Sequence, residues 1–392
     1  MNKDIMTKAV RLGEYSPKSI STPKTVPIYM SSSYAFETVD DLEDVYSGKE
    51  EGYVYSRVGN PGQDTLKAVM AGIEDGEDVE VYSSGMAAIA MSIMANVSAG
   101  DHIVASNVLY GGSYSLLKEE LKRFDVEVSF IDIENDDIAA SIKDNTKILY
   151  METISNPLME VVDIREICNM CHEKGVKVII DNTFATPSIC QPLKHGADIV
   201  VYSATKYLCG HSDVMAGIVI GDKETVAKIR YTGSLLGPTM SPFDSWVLTR
   251  SLRTLDLRVK KHSENALELA KYFENHEKVE KVYYPGLESS KYHELSKELF
   301  NTDHFGGMLS VDLVGGEQAV CDIIEHLESI KFVPSLAGVA TSVSFPVRTS
   351  HRALTDEELK ESNISKGLLR ISTGLENISD IIGEFDRALA KL

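Results

Sequence analysis

A single tryptophan, five cysteines and no apolar run near the ~20 residues of a bilayer span mark this 392-residue chain by what it is short of. Without such a run a helical membrane protein is excluded, and MNKDIMTKAV has none of the apolar core of a secretory signal, so the chain is expected in the cytoplasm. Five scattered cysteines, an odd number, argue against a disulfide framework and for reduced thiols. Positive charge is short as well: 39 Lys and Arg against 59 Asp and Glu leave a net charge of −20. That balance disfavours nucleic acid and anionic membrane surfaces and leaves small molecules as the expected partners. Internal repeats, low-complexity tracts and long linkers are also missing.

What is present is the composition of a soluble globular enzyme, 43% hydrophobic and 25% charged. The length exceeds what one core usually serves, so a large domain and a smaller one are expected. Residues 1–61 carry Pro17, Pro23, Pro27 and Pro61, a serine run from Ser31 to Ser33 and few periodic segments. They read as an extended N-terminal arm that contacts a neighbouring subunit. Residues 62–255 alternate helical patterns with the runs VEVYS, HIVAS, VEVSFI, KILYME, KVIID, DIVVYS and AGIVIG, which predicts an α/β fold with a doubly wound, mostly parallel seven-stranded sheet. Residues 256–392 continue through a long helix into a strand, GGMLSVDLVG, and a helix, GEQAVCDIIEHLESI, and read as a smaller α+β domain.

Cys168-x-x-Cys171-His172 has the spacing of a haem attachment or redox motif. Asp163 as N-cap and Gly175 beyond the end frame a helix whose Ile164, Ile167, Cys168 and Cys171 share one face, so two buried cysteines explain the spacing. A zinc site would need a second ligand pair, and none is found; no metal is expected.

The chemistry gathers at strand ends. Ser203-Ala-Thr-Lys206, in DIVVYSATKYLCGHSDVMAG, sets a lysine between small hydroxyls just after an apolar run, where an amine can be desolvated enough to attack a carbonyl. GVKVIIDNTF delivers Asp181 to the C-terminal end of its strand, the edge where open α/β sheets bind ligands. VEVYSSGMAAIAMSIMA is a strand, then Ser83-Ser84-Gly85, then a helix whose first amides offer an anion site. An amine for an aldehyde, an acid for a ring nitrogen and a helix start for a phosphate are what pyridoxal 5′-phosphate requires.

Those segments, with YSRVGNP, YGGSY, METISNPLMEV, DNTFATP and LLRISTGLE, resemble the Cys/Met-metabolism family of pyridoxal-phosphate enzymes over nearly the whole chain. This fold-type I group holds cystathionine γ-synthase, cystathionine γ-lyase, methionine γ-lyase and the homoserine-ester sulfhydrylases. The resemblance implies that Lys206 binds the cofactor as a Schiff base, that Asp181 keeps the ring nitrogen protonated, and that Tyr110 stacks on the ring. It implies a phosphate site of Ser84, Gly85, Met86, Ser203 and Thr205, completed by Tyr55 and Arg57 from a neighbouring subunit. A homotetramer built of active dimers follows. Arg370 is expected to grip the substrate α-carboxylate, with Asn156 and Ser335 nearby.

Several positions depart from the familiar members. Pro334 stands where the γ-cystathionine enzymes commonly have glutamate, Ser115 where they have an arginine for the far carboxylate, and Gly112 where methionine γ-lyases typically have cysteine. AGVATSVSFPVRTSHRAL introduces Arg348 and Arg352, and Arg348 is expected to face the substrate channel and select a polar or anionic side-chain end. The activity expected is a γ-eliminating carbon–sulfur lyase acting on a methionine, cystathionine or homocysteine type of amino acid. The alternatives are a γ-replacement synthase and, more remotely, a cofactor-binding scaffold without turnover.

Overall fold

A computed structural model describes residues 4–12, 23–352 and 354–392. Seven strands, β1 (Asp78–Tyr82), β2 (His102–Ser106), β3 (Glu127–Ile131), β4 (Thr146–Glu152), β5 (Lys177–Asp181), β6 (Ile199–Ser203) and β7 (Gly217–Gly221), form one sheet in the order β1-β7-β6-β5-β4-β2-β3. Each of the seven apolar runs read from the sequence is one of these strands. All neighbours are parallel except β7, which runs antiparallel to both β1 and β6. The inner strands are buried on both faces, which is why VIID and IVVYS read as continuous apolar runs rather than alternating ones. β3 and β4 lie on opposite sides of β2, so the strand order reverses there, and it is outside the carboxyl ends near such a reversal that an α/β sheet opens a crevice.

A second sheet, in the order β10-β11-β12-β9-β8, is antiparallel apart from the β10–β11 pair. Its strands are β8 (Val279–Tyr283), β9 (Met308–Leu313), β10 (Lys331–Phe332), β11 (Ser342–Ser344) and β12 (Leu368–Ser372). The 20-residue helix Leu255–Glu274 packs on β8 and β9 and against the last helix, Ile378–Leu389. One apolar core is continuous between the two sheets, from Val178 and Val200 to Leu309 and Ile371. That continuity fixes β12, and with it Arg370, relative to the edge of the first sheet.

Two local readings gain detail. The helix Ile164–Glu173 has Asp163 as its N-cap and Gly175 at φ +71, and Cys168 and Cys171 are buried on its inner face. Burial pushes both thiols up to about 12, the behaviour of packed rather than reactive cysteines. The expected extended arm is partly helical instead. Residues Ile5–Leu12 and Val39–Tyr46 form helices, the second started by a Thr38/Asp41 capping box. Ala9 is buried and Leu12 packs against Gly72 of the helix Pro61–Glu74, so tertiary contact supplies the stability that so short a helix lacks alone. Pro17 lies outside the described residues, as do residues 1–3 and 13–22 of the arm.

Candidate active site

The carboxyl ends of β4, β5 and β6 bring Glu152, Asp181 and Ser203 to one edge, and the turn after β6 carries Lys206 back beside them. A cavity of about 220 Å³ opens at this edge. Ser84, Gly85, Met86, Tyr110, Asn156, Asp181, Ser203, Thr205, Lys206, Ser335 and Arg370, all singled out from the sequence, line it.

Lys206 is fixed by its own turn: its N–H donates to the Ser203 carbonyl at 3.0 Å and its carbonyl accepts from Gly210 at 2.7 Å. Its Nζ donates to Ser335 Oγ at 2.9 Å. Burial, and after it the positive charge of Arg370, push this amine down to about 8. Asp181 is 7% exposed. Its carboxylate accepts from the Thr183 N–H at 3.0 Å, from the Thr183 hydroxyl, and from Tyr150 OH at 3.5 Å. Burial raises its pKa more than these bonds lower it, and no cation bonds it among the described residues. A buried carboxylate without a cation is a receptor for a positive ring nitrogen.

The anion end is the start of the helix Gly85–Met94. Ser84 caps it by accepting from the Ala87 N–H, which leaves the Gly85 and Met86 amides without partners inside the helix. Only glycine fits at 85, because a Cβ there would lie 2.6 Å from Ser203 Cβ and 2.8 Å from its Cα. Ser203 and Thr205 complete the same wall.

Arg370, on β12, is 3% exposed. Its Nη1 donates to Asn156 Oδ1 at 2.8 Å and its Nη2 to the Ser335 carbonyl at 3.4 Å, while its buried Nε has no hydrogen-bond partner. Burial lowers its pKa to about 10, still charged at neutral pH. A buried guanidinium with a spare donor suits a carboxylate taken on two atoms. Tyr110 stands at the mouth, 43% exposed, with its ring over Gly112, where a Cβ would approach Tyr110 Cε1 to 2.6 Å.

Tyr55 and Arg57 are expected to serve a neighbouring subunit's site, and one residue expected in this chain's own site lies elsewhere. Tyr55 and Arg57 do not line the cavity; Arg57 donates to the Ser234 carbonyl on another face. Arg348 points outward and pairs with Glu317, because the short turn Pro346–Arg348 presents its side chain to the helix Gly316–His326. It does not face the substrate cavity, contrary to the expectation from its segment. In its segment it is Ser350 that reaches the cavity wall. Ser115 is not in the wall either. Glu152, Thr183 and Ser350 were not anticipated, although Thr183, two residues after Asp181 in DNTF, sits where a side chain reaches its neighbour's carboxylate.

These residues can hold a molecule with an aldehyde, a ring nitrogen and a phosphate, together with one carboxylate, and pyridoxal 5′-phosphate has the first three groups. The family model described as Cys/Met metabolism PLP-dependent enzyme matches residues 6–390. The chain is 40% identical to an L-methionine γ-lyase of Porphyromonas gingivalis over 93% of this chain and 92% of that one. It is 39% identical to a cystathionine β-lyase of Lactococcus lactis subsp. cremoris over 99% of each. Its fold matches the solved structure of a putative O-acetylhomoserine (thiol)-lyase from Campylobacter jejuni with N′-pyridoxyl-lysine-5′-monophosphate, at a TM-score of 0.93 and 30% identity over 99% of this chain and 100% of that one.

Proposed function

Since the chain belongs to the Cys/Met-metabolism family of pyridoxal-phosphate-dependent enzymes, we propose that it cleaves the Cγ–sulfur bond of a methionine, homocysteine or cystathionine type of amino acid. The products are 2-oxobutanoate, ammonia and a thiol. The observation that carries this reading is the meeting of Lys206, Asp181, Tyr110 and Arg370 in one cavity with a single guanidinium. When bound, pyridoxal phosphate supplies a sink for the electron pair left at Cα.

The protein's own residues do the rest. Arg370 and Asn156 hold the α-carboxylate and so fix which bond at Cα stands toward Lys206. Lys206 Nζ, oriented by Ser335 Oγ at 2.9 Å, takes the Cα proton. Asp181 would hold a proton on the cofactor's ring nitrogen. A second proton leaves Cβ so that its electron pair expels the sulfur from Cγ, and Tyr110 OH gives a proton to that sulfur. Ser84, Gly85, Met86, Ser203 and Thr205 would hold the phosphate. Pro334, Leu336 and Ser350 line the cavity and bring no cation for a second carboxylate, which supports a methionine type of side chain among these substrates. The likeness to a methionine γ-lyase supports the same choice.

Tyr55 and Arg57 are read as reaching the phosphate of a neighbouring subunit within a homotetramer. Exposed Tyr231, Leu235 and Leu236, on the helix whose Ser234 carbonyl holds Arg57, are an apolar surface of the kind subunits cover. The division into an arm (1–61), a cofactor domain (62–255) and an α+β domain (256–392) belongs to this reading, as does a cytoplasmic location. Among the described residues no helix is long and apolar enough to cross a membrane.

A thiol-dependent γ-replacement is the second reading, favoured by the likeness to a putative O-acetylhomoserine (thiol)-lyase. The test gives the holoenzyme methionine, homocysteine, cystathionine and O-acylhomoserine, each with and without a thiol, and follows oxo acids. The expected result is 2-oxobutanoate from a thioether without added thiol. Product only in the presence of a thiol would establish replacement. Pyruvate from cystathionine would move the cleaved bond to Cβ, the activity for which the Lactococcus relative is named.

A further inference from the structure

Glu152 ends β4 and lies opposite Asp181 in the β4–β5 register, 9% exposed. Its two oxygens are divided between two loops. Oε1 accepts the Tyr110 N–H at 2.7 Å, and Oε2 accepts the Asn156 N–H at 3.1 Å. Asn156 Oδ1 in turn accepts from Arg370 Nη1 at 2.8 Å. One buried carboxylate therefore ties the backbone under the cavity-mouth tyrosine to the backbone of the residue whose side chain orients the buried guanidinium.

We propose that Glu152 is a positioning residue for the reaction, setting Tyr110 and the Asn156–Arg370 pair at one fixed separation. The proposal rests on the reading above that Tyr110 and Arg370 serve cofactor and substrate. Glu152 keeps its position despite its surroundings. Burial, and then the facing Asp181, disfavour its charged form, while the two N–H groups and Arg370 support it. A hydrophobic side chain would fill the same space at less electrostatic cost but could accept neither N–H, so the carboxylate serves the loops rather than the core. The loop at 109–111 is held from its other side too: the Ser350 carbonyl lies where a Cβ on Gly111 would be, 1.8 Å away, and a His351 ring nitrogen lies 3.2 Å from the Leu109 carbonyl. Backbone seated on both sides has little freedom of its own, so a change in the Glu152 bond shifts the loop as a unit.

Glutamine at 152 matches the shape of glutamate but offers one acceptor oxygen, leaving one of the two N–H groups facing an NH₂ donor. In holoenzyme, Glu152→Gln is expected to bind cofactor stoichiometrically, to alter the visible circular dichroism of the bound cofactor, and to show KM for the amino acid raised and kcat lowered, each about tenfold. Glu152→Asp keeps both oxygens on a shorter stem and recovers part of each parameter; it also serves if the glutamine variant does not fold. Unchanged dichroism with kcat and KM within about twofold, even if Tm falls, would reduce Glu152 to a structural residue and overturn the proposal. Tyr110→Phe and Arg370→Lys measured alongside separate the two failures. If those variants also leave kcat and KM intact, the functional reading is at fault; if they damage turnover and Glu152→Gln does not, only the positioning role falls.

Discussion

Protonating Lys206 is costly in this cavity, because burial strips the ammonium of water and Arg370 adds a second positive charge. With its pKa lowered to about 8, roughly a tenth of the amine is free at pH 7, against less than about a thousandth for a solvated lysine. Only the free amine can add to an aldehyde. Rebinding of pyridoxal phosphate to cofactor-free protein, followed by visible absorbance in a stopped-flow instrument, should therefore speed up as pH rises and level off above about 8. A midpoint near ~10.4 would mean that the amine is hydrated. Arg348 gives the opposite kind of prediction. Its partner is the exposed Glu317, so Arg348→Ala should leave kcat/KM within about twofold across a panel of γ-substituted amino acids. A selective loss with anionic side chains would return it to the channel. Lys206 and Asp181 were legible in the sequence because each sits in a motif with its own chemical logic. Glu152 was not, because a glutamate closing KILYME reads as the wet end of a strand until β5 brings Asp181 alongside it.

At the scale of elements, the helix Gly85–Met94 and the strand ends act as a frame with little tolerance. Gly217 of β7 is pressed against the same helix start, where a Cβ would lie 2.0 Å from the Ser84 carbonyl. Gly85→Ala should push the helix start away from Ser203 and weaken cofactor binding by about ten- to a hundredfold, measured by equilibrium dialysis at fixed phosphate. Unaltered affinity would show that the first amides are not the anion site. The strands were readable because burial on both faces leaves long β-branched runs bounded by turns. The helix Ile5–Leu12 was not, since eight residues carry too few turns to declare a period against the neighbouring prolines. Its partner Gly72 is sixty residues from Leu12 in sequence and in contact with it in space.

The whole molecule sets the remaining test, because Tyr55 and Arg57 stand apart from the Lys206 cavity of their own chain. If they act across a dimer, Lys206→Ala and Arg57→Ala proteins, each inactive alone, should regain activity when unfolded together and refolded. Random pairing leaves one intact site in each mixed dimer, so about a quarter of the wild-type activity is expected. No recovery would confine Arg57 to its own subunit. The sequence alone determined the strands of the main sheet, the cofactor and most of the polar residues that line the cavity, because each lies in a short run whose pattern is local. Tertiary structure alone decided that Arg348 faces out, that Ser350 faces in, and that Glu152 joins Tyr110 to Asn156. These outcomes depend on which way a turn leaves its strand and on contacts between segments some thirty to two hundred residues apart, which no local pattern of side chains encodes.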